Sequence, residues 1–78
     1  MKKVEILGAN CARCKRLFEV TQRVVRERGL DAEVVKVEDI PEIVSRGVLM
    51  TPGFVVDGKV KSSGKVLSDA EIVKFISE

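Results

Sequence analysis

Histidine, tryptophan and tyrosine are absent from this chain of 78 residues, and phenylalanine occurs only three times. Without histidine there is no imidazole zinc ligand and no His-assisted nucleophile within the chain. Charge of one sign is also missing: fourteen basic side chains against twelve acidic ones leave +2. That is too small and too evenly spread a charge for electrostatic nucleic-acid binding. No apolar run reaches the roughly 18 residues of a membrane span. The opening stretch Met1–Leu7 has no apolar centre of about 7 residues, so a signal peptide is not expected and a cytoplasmic location is. With 45% hydrophobic and 33% charged residues, and Gly and Pro scarce, the composition is that of a globular domain rather than a disordered or fibrous chain. Residues 1–78 are read as a single domain, with no linker, repeat or low-complexity segment.

What is present is regular punctuation. Lys3 to Leu7 is an apolar-rich run closed by Gly8, a strand. From Cys11 to Arg28 the apolar residues Leu17, Phe18, Val24 and Val25, with Thr21, recur at helical spacing, and Gly29 suits a left-handed cap. The β-branched Val34, Val35 and Val37 mark a second strand. Asp39-Ile40-Pro41-Glu42 reads as an N-cap, an early proline and a capping-box acid for a short helix, Ile40 to Arg46. Phe54 to Val56 is a third strand, Asp57-Gly58 a hairpin turn, and Lys59 to Ser62 a fourth strand. Ser68 and Glu71 form a second capping box, opening a last helix with Ile72, Val73, Phe75 and Ile76 near one face. The order β-α-β-α-β-β-α predicts an α/β fold. Its first two strands are parallel through a crossover, and helices cover both faces of a four-stranded mixed sheet.

Two cysteines are the only strong nucleophiles, and they stand together as Cys11-Ala12-Arg13-Cys14 where the first strand passes into the first helix. The first helical turn carries unpaired N–H groups and about half a positive charge. A thiolate at Cys11 is stabilised there, and Arg13, Lys15 and Arg16 add positive potential. Lowering a thiol pKa from about 8.5 to about 7 raises the thiolate share about 16-fold at pH 7, while falling nucleophilicity takes back about fivefold. The larger advantage is the neighbour, since Cys14 can attack a mixed disulfide intramolecularly. A structural disulfide closing so short a loop would contribute only about 2 kcal/mol. Tetrahedral zinc needs four ligands, which this chain lacks unless two copies share a metal. Two-coordinate binding of a soft metal such as Cu(I) needs only the pair and stands as the alternative reading. Ferredoxin-like metallochaperones, however, carry Met two residues before the first Cys, where this chain has Ala9, and they end on a strand. Inert core cysteines, or a fold that only mediates interactions, are the blander readings.

Met50-Thr51-Pro52-Gly53 precedes the third strand, where proline, lacking an N–H, fits a first strand position. Together, Gly8, Cys11, Cys14, Lys15, Thr51, Pro52, Val55, Gly58, Lys59, Val60, Ser63 and Gly64 match a pattern spanning nearly the whole chain. In this pattern the chain resembles the small archaeal and bacterial thioredoxin-like redox-active disulfide proteins, and more distantly the glutaredoxins. The resemblance implies a thioredoxin fold and a protein disulfide reductase, with Cys11 the exposed attacking thiol and Cys14 the buried resolving thiol. It implies a cis-proline at Pro52, and a Thr51 that presents backbone groups to an extended substrate. Disulfide-containing proteins are the implied substrates, and a flavin-dependent disulfide reductase the implied electron donor. No bound cofactor is expected, and a monomer is. The Val55-Val56 strand and the Thr51-Pro52 turn are expected to flank a shallow apolar binding surface. Glu5 lies six residues before Cys11, the offset at which thioredoxins bear a buried Asp assisting proton transfer; the alternative is an exposed strand residue. Glu5, Arg13 and Lys15 are thus candidate modulators. The chain departs from thioredoxins in Asn10 for Trp and in Ala12-Arg13 for Gly-Pro, and it lacks the intact glutathione-holding residues of glutaredoxins.

Overall fold

A computed structural model describes residues 1–9 and 11–78. Four strands, β1 (Lys2–Leu7), β2 (Ala32–Val37), β3 (Gly53–Val56) and β4 (Lys59–Ser63), form one sheet in the order β2-β1-β3-β4. Three helices accompany them: α1 (Ala12–Arg28), α2 (Ile40–Ser45) and α3 (Asp69–Ser77). β1 and β2 are parallel, Lys2 opposite Ala32 and Leu7 opposite Val37, as the α1 crossover requires. β3 runs antiparallel to both β1 and β4. The fold is the expected α/β arrangement.

The alternation of side chains along β1 and β3 divides the core into two layers. Val4, Ile6, Phe54 and Val56 point to one face, where Leu17 and Val24 of α1 and Ile72 and Ile76 of α3 close over them. Leu7 and Val55 point to the other and meet Ile43 of α2 together with Val48. Being buried on both faces, β3 is apolar at every position after its glycine.

The ends of the elements follow from their local chemistry. Gly29 takes the left-handed conformation (φ 62°, ψ 36°) and returns its N–H to the Val25 carbonyl, ending α1. Asp57 and Gly58 both have positive φ, 49° and 82°, as the tight β3–β4 hairpin demands. Asp57 does more than turn the chain. Its carboxylate accepts the Lys3 N–H at 2.8 Å and its own N–H reaches the Lys3 carbonyl at 2.8 Å, tying the hairpin to β1. At α3 the capping box of Ser68 and Glu71 is complete. At α2 only half of it forms: Asp39 accepts the Glu42 N–H at 3.3 Å, but the Glu42 carboxylate turns to Arg46 Nε at 3.0 Å instead. A guanidinium one turn away attracts the carboxylate more strongly than a neutral amide does.

Candidate active site

Cys11 is the N-cap of α1, in extended conformation (φ −130°, ψ 124°). Its sulfur occupies the place that a Ser or Asp oxygen usually takes, accepting the Cys14 N–H at 3.3 Å. Cys11 is half-buried, while Cys14, one turn into the helix, is only 4% exposed. The spacing therefore gives two thiols with opposite surroundings. The Cys14 thiol and backbone N–H both donate to the Cys11 sulfur, and with the Arg13 N–H and charge they hold its pKa below the ordinary thiol value against partial burial. Cys14 is pushed up to about 11, first by burial and then by its thiol's bond to Cys11 and the Cys11 charge, while the Thr51 side chain and the Arg13 charge work the other way. No acidic residue lies in the first turn of α1 to oppose a thiolate.

Gly8, at the end of β1, makes this approach possible. A Cβ there would run into the Cys14 sulfur, and would stand 2.9 Å from the Cys14 Cβ and 3.4 Å from the Thr51 Cβ. Thr51 and Cys14 thus converge over the same backbone, although they stand 37 positions apart in the sequence. The Thr51–Pro52 peptide bond is cis, as the resemblance implied, and Pro52 is buried. The Pro52 carbonyl accepts the Gly64 N–H at 2.9 Å. Arg13 reaches across from α1, donating through Nη2 to the Thr51 carbonyl at 3.5 Å and through Nη1 to the Gly64 carbonyl at 3.4 Å. Lys15 is exposed on the opposite side of the thiols. There, with Gly8, Cys11, Cys14, Lys36 and Glu38, it lines a shallow depression of about 310 Å³. Asn10 lies outside the described residues.

Glu5 meets neither of its two expectations in full. It is 5% exposed, so it is not a solvated strand residue, and both its oxygens are engaged by Arg46, at 2.9 and 2.8 Å. These bonds hold its carboxyl below the usual range despite burial. It faces the α2 layer and is not among the groups that shift either thiol. A carboxylate is retained in a sheet interior only when paired, and the C-cap of α2 supplies the partner. The one glutamate in an otherwise apolar stretch, Val4-Glu5-Ile6-Leu7, was the signal that a cation had to be found for it.

The expected apolar surface is also built differently. Val55 and Val56 are 0% and 3% exposed, core residues in the middle of the sheet, and form no surface. The apolar surface beside Thr51 comes from α2 and the segment after it. Ile40, Val44, Leu49 and Met50 are exposed, and a depression of about 250 Å³ opens among Ile40, Val44, Leu49 and Thr51. Leu49 and Met50, two large apolar residues directly before Thr51-Pro52, were the overlooked signal.

A β2-β1-β3-β4 sheet carrying a dithiol at the N-terminus of its first helix, beside a cis-proline loop, defines a thioredoxin-like protein, in kind a thiol–disulfide oxidoreductase. The family described as "Thioredoxin domain" matches residues 2–77, and the chain belongs to the thioredoxin family. It is 39% identical to a thioredoxin of Methanothermobacter thermautotrophicus, over 99% of this chain and 100% of that one. To a thioredoxin of Methanocaldococcus jannaschii it is also 39% identical, over 92% and 83%. Among solved structures it is similar to a Staphylococcus aureus protein of unknown function, with TM-score 0.72 and 16% identity over 97% of this chain and 88% of that one. It is also similar to the germline-specific thioredoxin Deadhead of Drosophila melanogaster, with TM-score 0.66 and 18% identity over 97% and 78%. These two likenesses concern the fold. Among the described residues no helix is long and apolar enough to cross a membrane.

Proposed function

We propose that the protein is a single-domain, monomeric, cytoplasmic disulfide reductase acting on other proteins. The observation that carries this reading is the split between the two thiols, with Cys11 at the helix end accepting the Cys14 N–H and Cys14 buried behind it. The Cys11 thiolate attacks one sulfur of a substrate disulfide, forming a mixed disulfide and releasing the first substrate thiolate. Negative charge then leaves Cys11, and with it one of the causes that hold the Cys14 proton in place. Cys14 attacks the Cys11 sulfur, its proton passing to the departing second thiolate. Two electrons have moved, and the chain is left with a Cys11–Cys14 disulfide. A separate disulfide reductase, flavin-dependent by family likeness, returns it to the dithiol, and no bound cofactor takes part. Thr51 and Pro52 border the path of the substrate backbone, and the apolar surface of Ile40, Val44, Leu49 and Met50 seats its apolar side chains. Arg13 favours the thiolate by its charge, and Lys15 stands exposed beside the pair. Glu5, already bound by Arg46, acts through the position of α2 rather than as a proton acceptor.

The test is reduction of a protein disulfide with dithiothreitol as electron source. Cys11→Ser is expected to abolish it, and Cys14→Ser to leave a trapped mixed disulfide on Cys11. Activity surviving Cys11→Ser would overturn the assignment.

A further inference from the structure

Arg13 occupies an unusual place for an exposed cation. It stands between the two cysteines, yet its guanidinium lies on the carbonyls of Thr51 and Gly64, 38 and 51 residues away in sequence. At 3.5 and 3.4 Å these bonds sit at or beyond the long end of the hydrogen-bond range, and both acceptors are neutral. Among the described residues Arg13 makes no salt bridge, and neither do Lys15, Arg16 and Lys36 around the same thiols. The acids sharing their surface are Glu19, one helical turn beyond Arg16, and Glu38 beside Lys36. Four cations against two acids line the two depressions at the start of α1, one of which holds the reactive pair, in a chain whose net charge is only +2.

We propose that Arg13 is a specificity-determining residue, selecting polypeptide disulfides in which an Asp or Glu flanks the cysteine that Cys11 attacks. The inference rests on the oxidoreductase reading and names its substrate class. The incoming carboxylate takes the guanidinium from the two carbonyls. A bidentate Arg–carboxylate pair joins two opposite charges in a matched geometry, whereas the bonds it replaces are long and end on neutral acceptors. The exchange also uncovers the Thr51 carbonyl as an acceptor for a backbone N–H of the same substrate. Recognition of the acid and docking of the extended chain are thereby coupled through one side chain. Lys15, Arg16 and Lys36 add longer-range attraction that speeds encounter and is screened by salt. A substrate with Lys or Arg in that place meets the guanidinium as a like charge and leaves the carbonyl covered.

Three disulfide-linked peptides identical but for Glu, Ser or Lys beside the cysteine decide the matter, with the rate of reduction by the reduced protein measured at low and high salt. The expected result is that the Glu peptide reacts about tenfold faster than the Lys peptide at low salt, with Ser between them. Arg13→Glu reverses the order, Arg13→Ala narrows it, and Arg13→Lys restores part of it. Any effect of Arg13 on the reactivity of Cys11 moves all three peptides together, so the ratio isolates recognition. Equal rates for Glu and Lys peptides, or an order unchanged in Arg13→Glu, would overturn the inference while leaving the oxidoreductase reading in place. No reduction of any of the three would overturn both.

Discussion

Gly8 shows how a residue without a side chain shapes the site. Its φ is not positive, so backbone freedom is not what the position needs. It needs room, because the Cys14 sulfur lies where a Cβ would be. Gly8→Ala is therefore expected to destabilise the fold by about 1–3 kcal/mol, the cost of overpacking a close contact. It also displaces Cys14 from its seat, so mixed disulfides accumulate during turnover. Denaturant unfolding and mass spectrometry of quenched reactions measure the two effects. Neither was legible in the sequence, where Gly8 reads as strand punctuation. The contact arises only when the ends of β1 and α1 are brought together with Thr51. Cys11 and Cys14 were legible because their chemistry is local: three residues apart at a helix start, they meet through the first turn alone.

At the scale of elements, α1 and α2 carry opposite imperfections. Thr21 lies on the inward stripe of α1, 0% exposed, and its hydroxyl has no partner among the described residues. Thr21→Val keeps the shape and removes the orphan group, so a gain of about 1 kcal/mol is expected in denaturant or thermal unfolding. A loss of that size would mean the hydroxyl is bonded. In α2 the Arg46–Glu5 pair pins a short helix to β1. Arg46→Ala leaves a buried carboxylate alone and is expected to cost about 2–3 kcal/mol, less than for a wholly buried pair because the Arg46 side chain keeps 28% exposure. Changing Glu5→Leu in the same chain recovers most of that loss, since the uncompensated charge is gone. The boundaries of both helices could be read from Gly29 and from Asp39-Ile40-Pro41, whose signals act within a few residues. The ion pair could not, because its partners stand on different elements and nothing local to Glu5 names Arg46. The same reason explains the misplaced apolar surface. Val55 and Val56 read as a strand, but their burial depended on β3 lying inside the sheet between β1 and β4.

For the molecule as a whole, one architecture does two things at once. The parallel β1–α1–β2 unit aims the positive end of a 17-residue helix at Cys11. The β3–β4 hairpin and α2 then bring the Thr51–Pro52 loop and an apolar surface against the other side of the pair. The result is a dithiol whose halves differ in burial and in proton affinity, which is what sequential attack and resolution require. The measurement that tests this most directly is the pH dependence of alkylation of the reduced protein, with each thiol followed separately by mass spectrometry. Cys11 is expected to react first, with a midpoint below the ordinary thiol value, and Cys14 to resist until the pH nears about 11. Two thiols titrating together, or Cys14 reacting ahead of Cys11, would contradict the account.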